Sequence, residues 1–357
     1  MTDADSAEVV RQRCHDFTVM HTEVPIYARI VAGMAADDDA IALLRHAAKG
    51  QARPVLLLAA LHELTMRHPE TPAAAWFLPG AAGDGDPWPD VRRSVEDHWD
   101  ELRSVVATRT TQTNEVNRAT YVRAMLSRAA ADLPDVPLTV VELGASAGFL
   151  LGFDGYRVRV GDVTVGPSGS LVECVAENRG APVRLDLPPI AARVGIDANP
   201  VGPHDDAALR WLRACIWPEM PGRLERFDAA VAHLRNDPPH VVRADMVDGL
   251  APVIAERRAA GSHLVVFSSW ALTYVARARR TGVADVLAEA ATDGPVSWVT
   301  AEPPGCVPGL PDQDVLDGDD RLTATVVGAR SWRDGREMPA QVWGTVHGHG
   351  NWIDFTR

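Results

Sequence analysis

The chain has 357 residues, 46% of them apolar, and a formal net charge of −13. That length suits one large or two ordinary domains, and the apolar share supplies a core. The charge disfavours a nucleic-acid partner, whose binding rests on clustered cations, and no apolar run approaches the ~20 residues of a membrane helix. The first residues, Met-Thr-Asp-Ala-Asp-Ser, are acidic where a secretory signal would be basic and then apolar. The expected location is therefore cytoplasmic. Cys14, Cys174, Cys215 and Cys306 lie far apart without a C-x-x-C pair, which argues against a disulfide framework and a thiolate zinc site. Lys49, the single lysine, stands in a polar Lys-Gly-Gln turn, so lysine general-base and Schiff-base chemistry is not expected.

Residues 1 to about 135 read as helices only. Ile41, Leu43 and Leu44, then Val55 to Leu64, are apolar helical segments broken at Arg53-Pro54, and Val91 to Val106 has one amphipathic period. Pro79 to Pro89 is a Gly/Pro/Asp-rich loop, Thr113 is placed to cap a helix, and Asp132 to Pro137 makes the domain border. Beyond it the pattern changes to short apolar strands alternating with helices, the mark of a parallel sheet. Strands are expected at 138–143, 192–197, 240–244, 262–268 and 295–301, with helices at 205–215, 222–236, 249–259 and 271–291. Two further strands, Leu322 to Val327 and Gln341 to Val346, are expected around the turn Arg333-Asp334-Gly335. Tyr156 to Val175 alternates like a β-ribbon and interrupts the first crossover.

The segment VVELGASAGFLL, residues 140–151, decides between chemistries. Gly144-Ala145-Ser146-Ala147-Gly148 has the spelling of a G-x-S-x-G nucleophile elbow. With Glu142 in front it also resembles the E-x-G-x-G-x-G strand end of class I S-adenosylmethionine-dependent methyltransferases, Ser146 replacing the middle glycine. An elbow would need strands upstream and a histidine on the same edge. No strand is expected upstream, and His240 and His263 begin their strands, on the edge away from ligand chemistry in an open α/β sheet; His347 and His349 remain for that reading. The dinucleotide G-x-G-x-x-G would need glycine at Ser146 and Phe149, and the P-loop signature is missing.

Residues 138 to about 346 thus resemble the seven-stranded class I methyltransferase fold. The whole chain further resembles a bacterial family known as a domain of unknown function, through TQTNEV (111–116), VELGASAG (141–148), GIDANPV (195–201), RWLRACIWPE (210–219), VVFSSWALTYV (265–275) and WVTAEPPG (298–305). The resemblance implies an α/β fold with a seven-stranded, Rossmann-like, mostly parallel sheet. Its expected parts are a helical N-terminal cap domain at 1–135 and a methyltransferase-like domain at 136–357, with a β-ribbon insert at 154–178.

It also implies S-adenosylmethionine as cofactor, held by Glu142, Gly144, Ala145, Ser146 and Gly148, by Asp197, Ala198 and Asn199, and by Asp245 and Met246. A carboxylate at Asp197 suits two ribose hydroxyls. Ser268, Ser269 and Trp270 end the fourth strand and Glu302 ends the fifth, where acceptors meet the methyl donor. The expected catalytic groups are Glu302, Glu115 and Ser268, and the expected substrate contacts are Gln112, Asn114, Ser269 and Trp270. Asp154 and Tyr156 are further pocket candidates, and Arg210, Arg213 and Arg223 could meet an acidic acceptor; Trp211 and Trp217 read as helix core. No metal site is expected, since His347-Gly-His349 lacks a third ligand.

The expected function is methyl transfer to an oxygen or nitrogen of a small molecule, with no nucleic-acid or membrane partner and a homodimer left open. A non-catalytic S-adenosylmethionine-binding protein and a serine hydrolase using Ser146 are the alternatives. Two departures stand out. Glu142 and Asp197 are 55 residues apart (197 minus 142), against roughly 20 between fingerprint glycines and a ribose acid. Many relatives with the resembling sequence carry histidine where Ser268 stands.

Overall fold

A computed structural model describes residues 4–77, 85–311 and 324–356. Most of the expected Pro79–Pro89 loop, the acidic segment up to Asp320, and Leu322 lie outside the described residues. The chain divides into two compact units, Met1–Asn114 with Asp206–Glu225, and Glu115–Asp205 with Arg226–Arg357. The division falls at 114/115 rather than 135/136. One cause is the helix Ala119–Ala129, in which all but Arg128 is buried, so it belongs with the sheet. The other is Asp206–Ala214, whose Trp211 and Ala214 join the apolar core of the first unit.

In the first unit, helices span Ala7–Met20, Pro25–Ala36, Asp38–Leu44, Pro54–Arg67, Ala74–Phe77, Trp88–Asp97 and Trp99–Thr108. Pro25 and Pro54 occupy first-turn positions, where a missing N–H costs nothing. Asp37 caps its helix by accepting from the N–H groups of Asp39 and Ala40. The single helix expected over Val91–Val106 is two, because His98 leaves helical geometry at φ −122° and ψ 28°. The helix Pro54–Arg67 is buried on nearly every face between Leu56 and Thr65, and its Leu56, Leu57, Leu58 and Leu61 lie within the core of this unit.

The second unit is built on strands β1 (Leu138–Leu143), β2 (Arg157–Val160), β3 (Val163–Val165), β4 (Glu173–Asn178), β5 (Ile190–Asp197), β6 (Val241–Arg243), β7 (His263–Ser269), β8 (Val296–Glu302), β9 (Ala324–Arg333), β10 (Arg336–Glu337), β11 (Gln341–His347) and β12 (Trp352–Phe355). Among the described residues these twelve form one sheet, ordered β3-β2-β4-β12-β11-β9-β8-β7-β1-β5-β6, with β10 paired to β9. The fold is therefore mixed α/β on a large open sheet. β6, β5, β1, β7 and β8 run parallel, and β9, β11 and β12 continue as an antiparallel meander. β1 and β8 are buried at every residue, as expected of parallel strands covered on both faces.

The sheet is wider than the seven strands expected. The ribbon insert does not fold away from it: β2 and β3 make a hairpin, β2 pairs with β4, and β4 pairs with β12 in parallel. The expected helix 271–291 is also broken, into 3-10 turns at Leu272–Tyr274 and Arg277–Arg279 and a helix at Thr281–Ala290. The break falls at Val275 and Ala276, whose ψ of 129° and 134° are extended rather than helical. No helix of the described residues is long and apolar enough to cross a membrane, and all four cysteines are free.

Candidate functional site

Strands β5 and β6 lie on one side of β1, and β7 and β8 on the other. The carboxyl ends of β1 and β7 therefore flank a topological switch point, where open α/β sheets bind ligands. The expected cofactor and acceptor residues on β1, β5, β7 and β8 all end at this edge.

The turn after β1 is held by the neighbouring strand. Gly144 and Ala145 both donate N–H to the Ile196 carbonyl (2.8 and 3.1 Å). Ser146 donates its N–H to Asp197 Oδ2 at 2.8 Å, while Oδ1 accepts from Asn199 N–H at 2.7 Å. Asp197 thus locks the β1 turn to the β5 turn and keeps further lone pairs on both oxygens. Gly144 and Gly148 have φ of 74° and 77°, the left-handed region glycine enters freely. A Cβ on Gly144 would lie 2.6 Å from Ala271 Cβ, and one on Gly148 2.6 Å from Pro239 Cγ. These glycines are needed for the close approach of protein to protein.

Alternation along the strands separates the edge residues onto two faces. Leu143 pairs with Ser268, and Ser268 with Thr300, so Ser268 and Glu302 share the face of Leu143. Glu142 and Ser269 emerge on the opposite face, where Ser269 Oγ and Tyr121 OH of the helix Ala119–Ala129 are hydrogen-bonded at 2.7 Å. Glu302 is fully buried. Its Oε1 accepts from the N–H groups of Ala271 (3.0 Å) and Leu272 (3.2 Å). Burial pushes its carboxyl up to about 7, against those two bonds, the nearby Ser268 hydroxyl and Arg118, which all pull it down. Glu302 also lines a cavity of about 290 Å3 with Arg277, Arg280, Thr281, Leu310 and Val326.

Glu142 is buried as well, and its carboxyl is held well above the usual range by desolvation and by Asp197, with Arg118 opposing. Among the described residues, Glu142 Oε2, Ser268 Oγ and Glu302 Oε2 have no well-aligned hydrogen-bond partner, although Ser268 lies close enough to Glu302 to lower its carboxyl. Such groups are rare in folded proteins and call for a reason.

Residues 12–355 match the family model for "Uncharacterized protein conserved in bacteria (DUF2332)". The chain belongs to this family. No curated protein matches it.

The other expected site residues of this DUF2332 chain fall in different settings. Asp245 Oδ1 accepts from Val247 and Asp248 N–H (2.9 and 3.1 Å), and its two oxygens bind Arg279 at 3.0 and 3.2 Å. The Arg279 hydrogen bond is the main cause of its lowered carboxyl; it is the brace of its own turn. Met246, next to it, brings Cε within 3.7 Å of the Cβ position at Gly144. Ala198 and Asn199 are exposed, with Arg243 on the Ala198 carbonyl and on Asn199 Oδ1.

The cap expected at Thr113 is made two residues later. Glu115 Oε1 accepts Asn117 N–H at 3.0 Å and lies 3.4 Å from Arg226, which ties it to a cap and an ion pair. Gln112 and Asn114 belong to the helical unit, where Asn114 Nδ2 donates to Gln112 Oε1 at 3.5 Å. Trp270 Nε1 donates to Thr325 Oγ1 at 2.8 Å. Asp154 pairs with Arg193 at 2.6 Å, and the buried Tyr156 hydroxyl donates to the Phe149 carbonyl. Arg210 pairs with Glu63. His263 meets Ser297 at the amino end of β7, and His240 meets Arg257 ahead of β6, both away from Ser146.

Sequence reasoning missed Arg118. It is buried, donating Nε–H to the Gly348 carbonyl at 2.9 Å and an NH1 hydrogen to the Ser269 carbonyl at 3.3 Å. It is the cation that lowers both Glu142 and Glu302. Its signal was present: an arginine opening the almost wholly apolar helical run ATYVRAML. Asn117, which clasps the Val175 carbonyl and the Gly350 carbonyl at 2.9 Å each, was missed with it.

Proposed function

We propose that this carboxyl edge binds S-adenosylmethionine and that the chain transfers its methyl group to an oxygen or nitrogen of a small molecule. The observation that carries the reading is the buried Glu142, its Oε2 without a partner among the described residues, close to Asp197 at the switch point where β1 ends between β5 and β7. Acceptor-rich carboxyl groups suit a ligand that brings hydroxyls and amines rather than phosphate. Residues 144–148 and Glu142 would hold the amino-acid end, Asp197 the ribose hydroxyls, and Met246 the adenine side, with Asp245 shaping the turn.

S-adenosylmethionine, when bound, supplies a methyl group already activated by its sulfonium. The protein's contribution is then mainly alignment. Glu302, which titrates near neutrality, accepts the proton that an acceptor hydroxyl or amine gives up, a role that favours a base close to the working pH. Ser268 positions that carboxyl, and Arg280 and Arg277 at the cavity rim favour an acceptor with an anionic group. The seven-stranded methyltransferase pattern corresponds, in this reading, to the parallel core and the first strands of the meander.

Incubation of the protein with methyl-labelled S-adenosylmethionine and a bacterial small-molecule extract tests this. Label should enter a new species with wild type and not with Asp197→Ala. Binding of the cofactor without any transfer would support a non-catalytic binding protein instead. The hydrolase reading has one observation in favour, the left-handed φ of 52° at Ser146. A fluorophosphonate probe on the same preparation would label Ser146 only if that reading holds.

A further inference from the structure

Within the helical unit, His68, His98 and Glu101 bring three ligand atoms within 4.8 Å of one another. His68 Nε2 lies 3.8 Å from Glu101 Oε2, and His98 Nδ1 lies 3.4 Å from the same oxygen. Metal–ligand bonds of about 2.0–2.2 Å in a tetrahedron place ligands about 3.4 Å apart. The cluster is therefore already near the spacing that a zinc ion requires.

The surrounding groups are arranged as supports for such ligands. His68 Nδ1 faces Glu70 Oε1 at 3.4 Å, so a proton on Nδ1 leaves Nε2 free to ligate. Metal-bound histidines usually carry an acceptor of this kind on the other ring nitrogen. Glu101 Oε1 is held by Arg67, which also pairs with Glu63. That turns Oε2 toward both imidazoles. The charged groups here are Glu63, Glu70 and Glu101 against Arg67 and Arg210, a balance of three minus two, or one net negative charge to receive a cation.

The backbone that carries the ligands is fixed. His68 ends the helix Pro54–Arg67, donating N–H to Leu64 O, and its own carbonyl accepts Thr71 N–H and Oγ1–H. Ala73 N–H donates to Ser94 Oγ at 3.0 Å, and His98 N–H donates to Ser94 O at 3.2 Å. The fully buried Ser94 thus ties the His68 turn to the His98 junction. Glu101 follows in the first turn of the next helix.

We infer that His68 Nε2, His98 Nδ1 and Glu101 Oε2 form a binding site for a divalent transition-metal ion of the zinc class. Two imidazoles and a carboxylate select zinc-like ions over magnesium or calcium, which prefer all-oxygen shells. Three protein ligands leave the fourth position to solvent. The inference is independent of methyl transfer, because it lies in the other unit and needs no cofactor.

Titration of untagged, chelator-treated protein with Zn2+, followed by calorimetry and by the visible absorption of a Co2+ replacement, tests the site. Wild type should bind one equivalent that His68→Ala and His98→Ala each lose. Glu70→Gln should weaken binding roughly 10–100-fold, the effect of removing a group that orients a metal-bound histidine. No binding by wild type, or the same stoichiometry in the double histidine variant, overturns the site. If the histidine variants lose helical circular dichroism, Glu101→Gln decides: weakened binding supports the site, and undiminished binding overturns it.

Discussion

Replacing Arg118 with methionine should destabilise the protein by about 1–3 kcal/mol near pH 8, the usual cost of leaving buried polar groups without a hydrogen-bond partner. Arg118 is the buried cation that favours the ionised forms of Glu142 and Glu302. Methionine keeps much of the volume and none of the charge, so the loss is chiefly electrostatic, together with the carbonyls of Gly348 and Ser269 left without a donor. The sign with pH follows. Without the cation both glutamate pKa values rise further in the folded state, so the deficit grows as the pH rises through the Glu302 titration at about 7 and is smaller near pH 5. Urea denaturation at pH 5 and pH 8 measures it. A loss below 1 kcal/mol at pH 8 would contradict the assigned role. Against a total stability of about 5–15 kcal/mol, the expected loss is large.

Glu302→Gln should act in the opposite direction. The folded-state carboxyl titrates at about 7 against an ordinary 4.5, so between those values the folded chain binds more protons than the unfolded one. Stability is therefore lost as the pH climbs from 4.5 through 7, and at 1.36 kcal/mol per pKa unit the full effect is about 3 kcal/mol. Glutamine keeps an oxygen for the Ala271 and Leu272 N–H groups, and its amide hydrogens can reach the Ser268 hydroxyl. The variant should match wild type near pH 4.5 and exceed it by about 3 kcal/mol at pH 8.5, read from denaturation midpoints. Methyl transfer should fall by roughly 10²-fold or more, the contribution of a positioned base. A variant that is more stable and less active is the expected sign of a strained functional group. Equal stability at both pH values would remove Glu302 from that role.

The parallel core was legible to within about two residues, because its strands are short, mostly apolar runs: TVVEL, RVGI, LVVF and SWVT each sit inside the observed strand. Long-range pairing was not legible. Nothing local in ECVAEN or WIDF says that β4 and β12 will meet in parallel, and the four residues of β12 are too few to show a period. The helix over 271–291 was misjudged for a similar reason. Its break lies at Val275 and Ala276, which take extended backbone geometry that the apolar pattern does not signal.

At the candidate site, the carboxyl-edge positions of Glu142, Ser146, Asp197, Ser268 and Glu302 could be read from strand ends alone. What each side chain does there could not. Asp245 and Glu115 look equally available in sequence, yet both are engaged, one by Arg279 and one by Asn117 and Arg226. His68 and His98 lie 30 residues apart (98 minus 68) on separate helices, so only the packing of those helices reveals the metal-ligand spacing.

A thermal-shift titration with S-adenosylmethionine and S-adenosylhomocysteine, on wild type and on Asp197→Ala, tests the cofactor assignment most directly. At about 100 times its dissociation constant a ligand stabilises the folded state by roughly 2.7 kcal/mol, which such a titration resolves. Wild type should show the shift, and Asp197→Ala, confirmed as folded by its own unliganded transition, should lose it. No shift with folded wild-type protein would contradict a cofactor site at this edge and return attention to Ser146.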